Sequence, residues 1–237
     1  SGTYAIVAAF VDDGVQLIDI SDPAVIDCTG QKTDEGTREL DGATNVDAFT
    51  IGSGKYVIVA SHIDHGVQII DVSDVGTTRI KDAETDGENG FTRLLYTHGV
   101  DTFTIGSSTY AIVVGTDGVQ TIDISDVDNM VALDAETRGE NGFTVLEYAR
   151  DVDTFTCGSR TYAIVTSQGD DGVQLIDISD PSNIVAIDAQ TDGVNGFTEL
   201  DGAYGVDTFT IDSSTYAIVT TRVDDGVQII ELPCRRS

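Results

Sequence analysis

Thr161-Tyr162-Ala163-Ile164-Val165, followed by Gly172-Val173-Gln174-Leu175-Ile176-Asp177-Ile178-Ser179-Asp180-Pro181, decides how this chain must fold. Side chains alternate along an extended strand, so Tyr162 and Ile164 point to one face and Ala163 and Val165 to the other. Both faces are apolar, and a strand of that kind needs cover on both sides. Nowhere does the chain combine helical periodicity with helix-forming composition over about ten residues, so the cover has to be another sheet. Tyr, Val, Ile and Thr dominate these segments, as β propensity requires.

The same two segments recur. The Tyr segment returns around Tyr4, Tyr56, Tyr110, Tyr162 and Tyr216, and Gly-Val-Gln follows at Gly14, Gly66, Gly118, Gly172 and Gly226. Successive Gly-Val-Gln segments are 52, 52, 54 and 54 residues apart, and Asp12 to Pro23 is repeated residue for residue as Asp170 to Pro181. A period of this size made of strands indicates a repeat architecture. A complete unit contains four strands, which in the fourth copy are Val152 to Cys157, Thr161 to Thr166, Val173 to Ile178 and Val185 to Ala189. Four-stranded sheets set radially cover one another on both faces, which predicts an all-β, five-bladed β-propeller. An open stack would need polar end units, and neither end of this chain resembles one. The chain is expected to be one domain, with units of about 1–45, 46–99, 100–151, 152–205 and 206–237. The first unit lacks its first strand and the last stops after its third, so eighteen strands and incomplete terminal blades are predicted.

Tyr-Ala-Ile-Val followed by Gly-Val-Gln-x-Ile-Asp-Ile-Ser-Asp-Pro resembles the LVIVD type of β-propeller repeat of bacterial and archaeal surface or secreted proteins. Tyr4 to Val7 with Gly14 to Pro23, and Tyr162 to Val165 with Gly172 to Pro181, carry the match, and the other three copies depart from its Asp-Pro ending. The resemblance implies a propeller in an extracellular or cell-surface setting and carries over no catalytic residue. Asn-Gly-Phe-Thr at Asn89, Asn141 and Asn195 lengthens the connection between units, and a role peculiar to this subgroup is expected there.

Forty-one acidic residues against twelve basic ones give a formal charge of -29. That field disfavours nucleic acid and anionic membranes and favours cations or basic protein surfaces. The longest apolar runs are too short to cross a bilayer, so no membrane insertion is expected. Cys28, Cys157 and Cys234 form no disulfide framework or Cys-x-x-Cys motif, and Cys157, standing where other units have isoleucine, reads as a small apolar filler.

Two groups of carboxylates are candidate cation sites, with Ca²⁺ the ion suggested by oxygen ligands. Asp47, Asp101, Asp153 and Asp207 open the first strands and would converge near one mouth of the central channel. Their alternative role is to accept backbone hydrogen bonds from the preceding turn. Asp82, Glu84 and Asp86 resemble the opening of a calcium loop, but its closing glutamate is missing, Arg138 replaces the third acid in the next unit and Gln190 the second in the unit after. Polar residues closing a turn onto their own backbone explain that loop as well. His62 and His65 read as an isolated, exposed pair with too few companions for zinc. His98 precedes a first strand, no Ser-His-Asp arrangement is legible, and the repeated tyrosines read as packing between blades.

Fivefold similarity without a catalytic constellation therefore predicts a non-enzymatic, acidic interaction module with a protein or cell-surface partner. A calcium-binding adhesin-like module or a carbohydrate-binding one is the alternative, and a hydrolase with a site assembled across blades is the third reading.

Overall fold

Each Tyr segment pairs antiparallel with the Gly-Val-Gln segment that follows it, Tyr162 lying opposite Asp177 and Ser167 opposite Gly172. In this computed structural model, which describes residues 2–22, 24–33, 40–116 and 118–233, that hairpin is the centre of each four-stranded sheet and includes an edge strand in the two three-stranded ones. The first blade comprises β1 (Tyr4–Ala9), β2 (Gly14–Asp22) and β3 (Val25–Thr33). The second comprises β4 (Ala43–Ile51), β5 (Gly54–Ser61), β6 (Gly66–Asp71) and β7 (Arg79–Thr85). The third runs through β8 (Gly99–Ile105), β9 (Ser108–Val114), β10 (Gly118–Asp123) and β11 (Val131–Thr137). The fourth runs through β12 (Ala149–Cys157), β13 (Arg160–Ser167), β14 (Gly172–Asp177) and β15 (Val185–Thr191). The fifth holds β16 (Ala203–Ile211), β17 (Ser214–Thr221) and β18 (Val227–Leu232). The five sheets form a five-bladed β-propeller, three of them four-stranded and the two terminal ones three-stranded, with no helix among the described residues.

Four apolar cores fill the seams between consecutive blades. Between the fourth and fifth, Phe155, Tyr162 and Ile164 meet Leu200, Ala217 and Val219. The repeated tyrosine stacks on the phenylalanine of its own first strand in each of the last four blades, with ring centroids 5.4 to 5.7 Å apart. Val227 and Ile229 of the fifth blade and Val7 of the first are exposed, although their counterparts in the middle blades are buried.

The two other fixed residues of the repeat have packing explanations. Buried Gln120 holds the incoming connection by accepting from the amides of Thr92 (3.0 Å) and Arg93 (3.2 Å), and Gln174 does the same for Thr144 and Val145. In these turns positive φ falls on the residue before the glycine, at Asp13, His65, Asp171 and Asp225. Glycine is needed because a Cβ on Gly14, Gly118 or Gly172 would run into the carbonyl oxygen of Lys32, Glu136 or Gln190 across the hairpin. Cys157 is half-buried against the last core and disulfide-bonded, which corrects its reading as a simple apolar filler. Cys28 is exposed and free, and Cys234 lies outside the described residues.

Tyr162 is 7% exposed. Tyr162→Ala is expected to cost about 3 kcal/mol through loss of a large packed ring, read as a shift of the urea midpoint at unchanged slope. A shift within experimental error would contradict its place in the seam.

Candidate functional site

The first strands begin three residues earlier than their Val-Asp signature suggests, β4 at Ala43, β12 at Ala149 and β16 at Ala203. A break in pairing register accompanies each start, between Ala43 and Asn45, Ala149 and Asp151, and Ala203 and Val206. An irregularity of this kind kinks a strand and re-aims its side chains. Here it delivers Thr44, Arg150 and Tyr204 to one cavity of about 780 Å³ at the mouth of the channel, which His98 enters from just before β8. His62, Tyr96, Tyr148, Asn45 and Asp151 also line that cavity.

These residues occupy matching places in the repeat but are unlike one another. The entry position reads Thr44, His98, Arg150 and Tyr204, and the position six after each repeated tyrosine reads Phe10, His62, Thr116, Gln168 and Arg222. A third position reads Gly42, Tyr96, Tyr148 and Gly202, and all four have left-handed backbone, with φ of 67°, 50°, 50° and 69°. A tyrosine in that region costs about 1 kcal/mol or more, which its surroundings must offset. The amide of Tyr96 donates to His65 Nδ1 (3.1 Å) and the amide of Tyr148 to the carbonyl of Thr116 (2.6 Å). Both rings are left half-exposed at the rim.

All three histidines gather here, so the reading of His62 and His65 as an isolated exposed pair is corrected. The His62 ring centroid lies 4.4 Å from that of His98 and 4.9 Å from that of Tyr96, and His65 meets Tyr96 edge-on. The second blade's hairpin and the third blade's entry are adjacent in space, a proximity that sequence order does not display. Burial, with Arg150 and His62 adding to it, pushes His98 down to about 3, and burial and Arg150 also lower His62. Both rings are therefore neutral at pH 7. The buried Nδ1 of His62 has no hydrogen-bond partner. Arg150 donates from Nε to Gln168 Oε1 (2.6 Å), meets His98 Nε2 through Nη1, and lies 5.7 Å from the Tyr204 ring centroid. Asp151 accepts from the amides of Val152 and Val206 (both 3.0 Å) and from Asn45 Nδ2 (3.3 Å). Burial raises its carboxyl to about 6, with Asp153 and Asp207 contributing.

The carboxylates singled out in the sequence lie elsewhere in the fold. Asp47, Asp101 and Asp153 each accept from the amide of a threonine on the next blade, Thr102 (3.0 Å), Thr154 (2.8 Å) and Thr208 (2.8 Å), not from their own turns. Asp207 is exposed. Asp82 accepts from the amide of Met130 on the next blade (2.6 Å), Glu84 from Asn89 Nδ2 (3.0 Å), and Asp86 from the amide of Leu94 (2.9 Å). Among the described residues no group of three or more His, Cys, Asp or Glu side chains is placed to hold a metal ion. The Asn-Gly-Phe-Thr connections insert Phe91 and Phe143 fully buried between blades. The non-repeating chemistry is at the channel mouth and not in those connections.

No protein-family model and no curated protein matches the chain, so the family resemblance rests on its motifs alone. Solved structures do match its fold. A Lactobacillus plantarum protein is 13% identical at a TM-score of 0.63, over 97% of this chain and 67% of its own. A periplasmic gluconolactonase of Pseudomonas aeruginosa is 14% identical at 0.61, over 92% of this chain and 63% of its own. A thermostable family-43 glycoside hydrolase is 10% identical at 0.56, over 97% and 85%. At such identities the likeness concerns the fold. The expectation of a non-enzymatic module is corrected, because hydrolases are among the solved structures of this fold and fivefold repetition therefore does not exclude catalysis.

Burial, then the neighbouring charges of Asp47 and Asp153, raises the Asp101 carboxyl above its ordinary value. The folded state thus holds the Asp101 proton more tightly than the unfolded chain, whose aspartates titrate near about 3.9. The resulting stability is present below that pH and is lost as pH rises through the folded value. Asp101→Asn, which keeps an acceptor for Thr154, is expected to weaken the fall in melting temperature between about pH 4 and pH 8. An unchanged pH profile would contradict the shift.

Proposed function

We propose that the channel mouth is the active site of a hydrolase that opens an ester or lactone of a small polyhydroxylated molecule. The observation that carries this reading is the convergence of unlike, non-repeating side chains, Arg150, His98, His62, Asp151 and three tyrosines, on one cavity of about 780 Å³. A cavity of that volume accommodates a small molecule, and half-exposed aromatic rings at a rim suit the apolar faces of a sugar ring. Only one carboxyl, that of Asp151, is among its lining residues. Glycoside hydrolysis ordinarily uses a pair, whereas acyl transfer to water needs one base and a donor for the developing oxyanion. The gluconolactonase of the same fold supports the choice of linkage.

In this reading neutral His62, whose ring lines the cavity, accepts a proton from water. The water oxygen bonds to the acyl carbon, the carbonyl electron pair moves onto oxygen, and its return expels the alkoxide. His62 gives the proton to that leaving oxygen, so one water is consumed and a hydroxy acid is released. Asp151, fixed by the Val152 and Val206 amides, keeps Asn45 oriented at the rim. The formal charge of -29 and the repeat motifs support an extracellular or cell-surface setting as part of this proposal.

The test is turnover on parallel panels of sugar lactones and aryl glycosides. Lactone opening is expected, with His62→Ala reducing kcat at least about 100-fold while the melting temperature stays near wild type. Turnover of glycosides alone, or an unchanged kcat in His62→Ala, would overturn the assignment.

A further inference from the structure

Arg150 carries a charge that its own protein leaves uncompensated. In a chain with 41 acidic residues, no carboxylate among the described residues pairs with this guanidinium. The remaining contacts are neutral, since Nε donates to the Gln168 amide oxygen, Nη1 meets the His98 ring and the plane approaches Tyr204. Among the described residues Nη2 has no acceptor. The adjacent carboxylate, Asp151, is turned away and held by the amides of Val152 and Val206. Burial disfavours the charged form of Arg150, and the positive charge of Arg222 on the fifth blade adds to that. Arg160 and Arg138 behave in the opposite way elsewhere on the surface, pairing with Asp177 and with Asp170. A half-buried guanidinium held by neutral groups and open on one side is arranged to receive an anionic acceptor.

We infer that Arg150 is a binding residue for the carboxylate of a small polyhydroxy acid. The inference rests on the hydrolase reading to the extent that such an acid is what lactone opening releases, and it makes the product a ligand of the enzyme. The overall charge of -29 repels every anion, so the local contact must outweigh that field. Screening at about 0.15 M salt, where the Debye length is about 8 Å, leaves the contact at the mouth as the deciding interaction.

The experiment compares gluconate with sorbitol, a polyol of similar size without the carboxylate, by calorimetric titration of the whole chain at constant ionic strength. Gluconate is expected to bind about tenfold or more tightly than sorbitol, the difference a hydrogen-bonded charge contributes. Arg150→Met should bring the two to equal affinity, and Arg150→Lys should restore only part of the preference, because an ammonium cannot match the planar fork. Melting temperatures of both variants separate loss of binding from loss of fold, and the lysine variant carries the test if the methionine variant does not fold. Competitive inhibition of lactone opening by gluconate, weakened in Arg150→Lys, would support the same contact. Equal binding of gluconate and sorbitol to the wild type would overturn the inference while leaving lactone turnover intact. Arg150-dependent gluconate binding without any lactone turnover would uphold the anion site and overturn the hydrolase reading. Tighter binding of inorganic phosphate than of gluconate would overturn the choice of a carboxylate.

Discussion

A β-sheet with two apolar faces cannot be covered by water on either one, and this constraint organises the molecule. Every blade from the second to the fourth presents such a sheet, and burial of apolar area at about 25 cal/mol per Å² makes face-to-face contact with two neighbours the favourable arrangement. Ile58, Ile112 and Ile164 occupy one repeat position and are all essentially inaccessible. The seams are closed at the inner strands by a second, directional interaction. Asp47, Asp101 and Asp153 reach across to the amides of Thr102, Thr154 and Thr208, tying each inner strand to the next.

That interaction changes how the acidity of the chain is understood. Part of it is internal framework, for Asp82 and Asp134 also accept from amides of the following blade, at Met130 and Ile184. Asp170 joins them by accepting from Leu146 and Glu147 while pairing with Arg138. An aspartate offers acceptors on a short side chain and suits a backbone amide left over at a strand end. Burial first, and repulsion between carboxylates brought together on inner strands second, make Asp101 and Asp151 hold protons more tightly than surface aspartates do.

The site sits where the repeat departs from itself. A propeller places equivalent positions around one axis, so five copies of a segment deliver five side chains to one rim. When those side chains differ, as Thr44, His98, Arg150 and Tyr204 do, the rim acquires a chemistry that no single blade possesses. Interrupted pairing at the start of β4, β12 and β16 and left-handed backbone at Tyr96 and Tyr148 mark the same rim. Strain and irregularity concentrated at one place accord with a role beyond packing.

Much of the fold was legible because alternation and repetition are local properties. Tyr-Ala-Ile-Val and Gly-Val-Gln place the central hairpin of each blade, and their number implies the five sheets and eighteen strands observed. The site was legible only in part. Aligning the repeats and asking where they disagree would have singled out Arg150 and His62, whereas asking where they agree selected Asp47, Asp101 and Asp153, which serve the framework. The aspartate partners could not be read, since each hydrogen bond spans some 53 to 55 residues and depends on the angle between two blades. Sequence by itself determined that two-faced strands would recur and need mutual cover, because side-chain direction follows from backbone geometry alone. Only the tertiary structure decided that two histidines, an arginine without a carboxylate partner among the described residues and two strained tyrosines would share one cavity, because setting the blades around an axis brings together residues that the chain holds far apart.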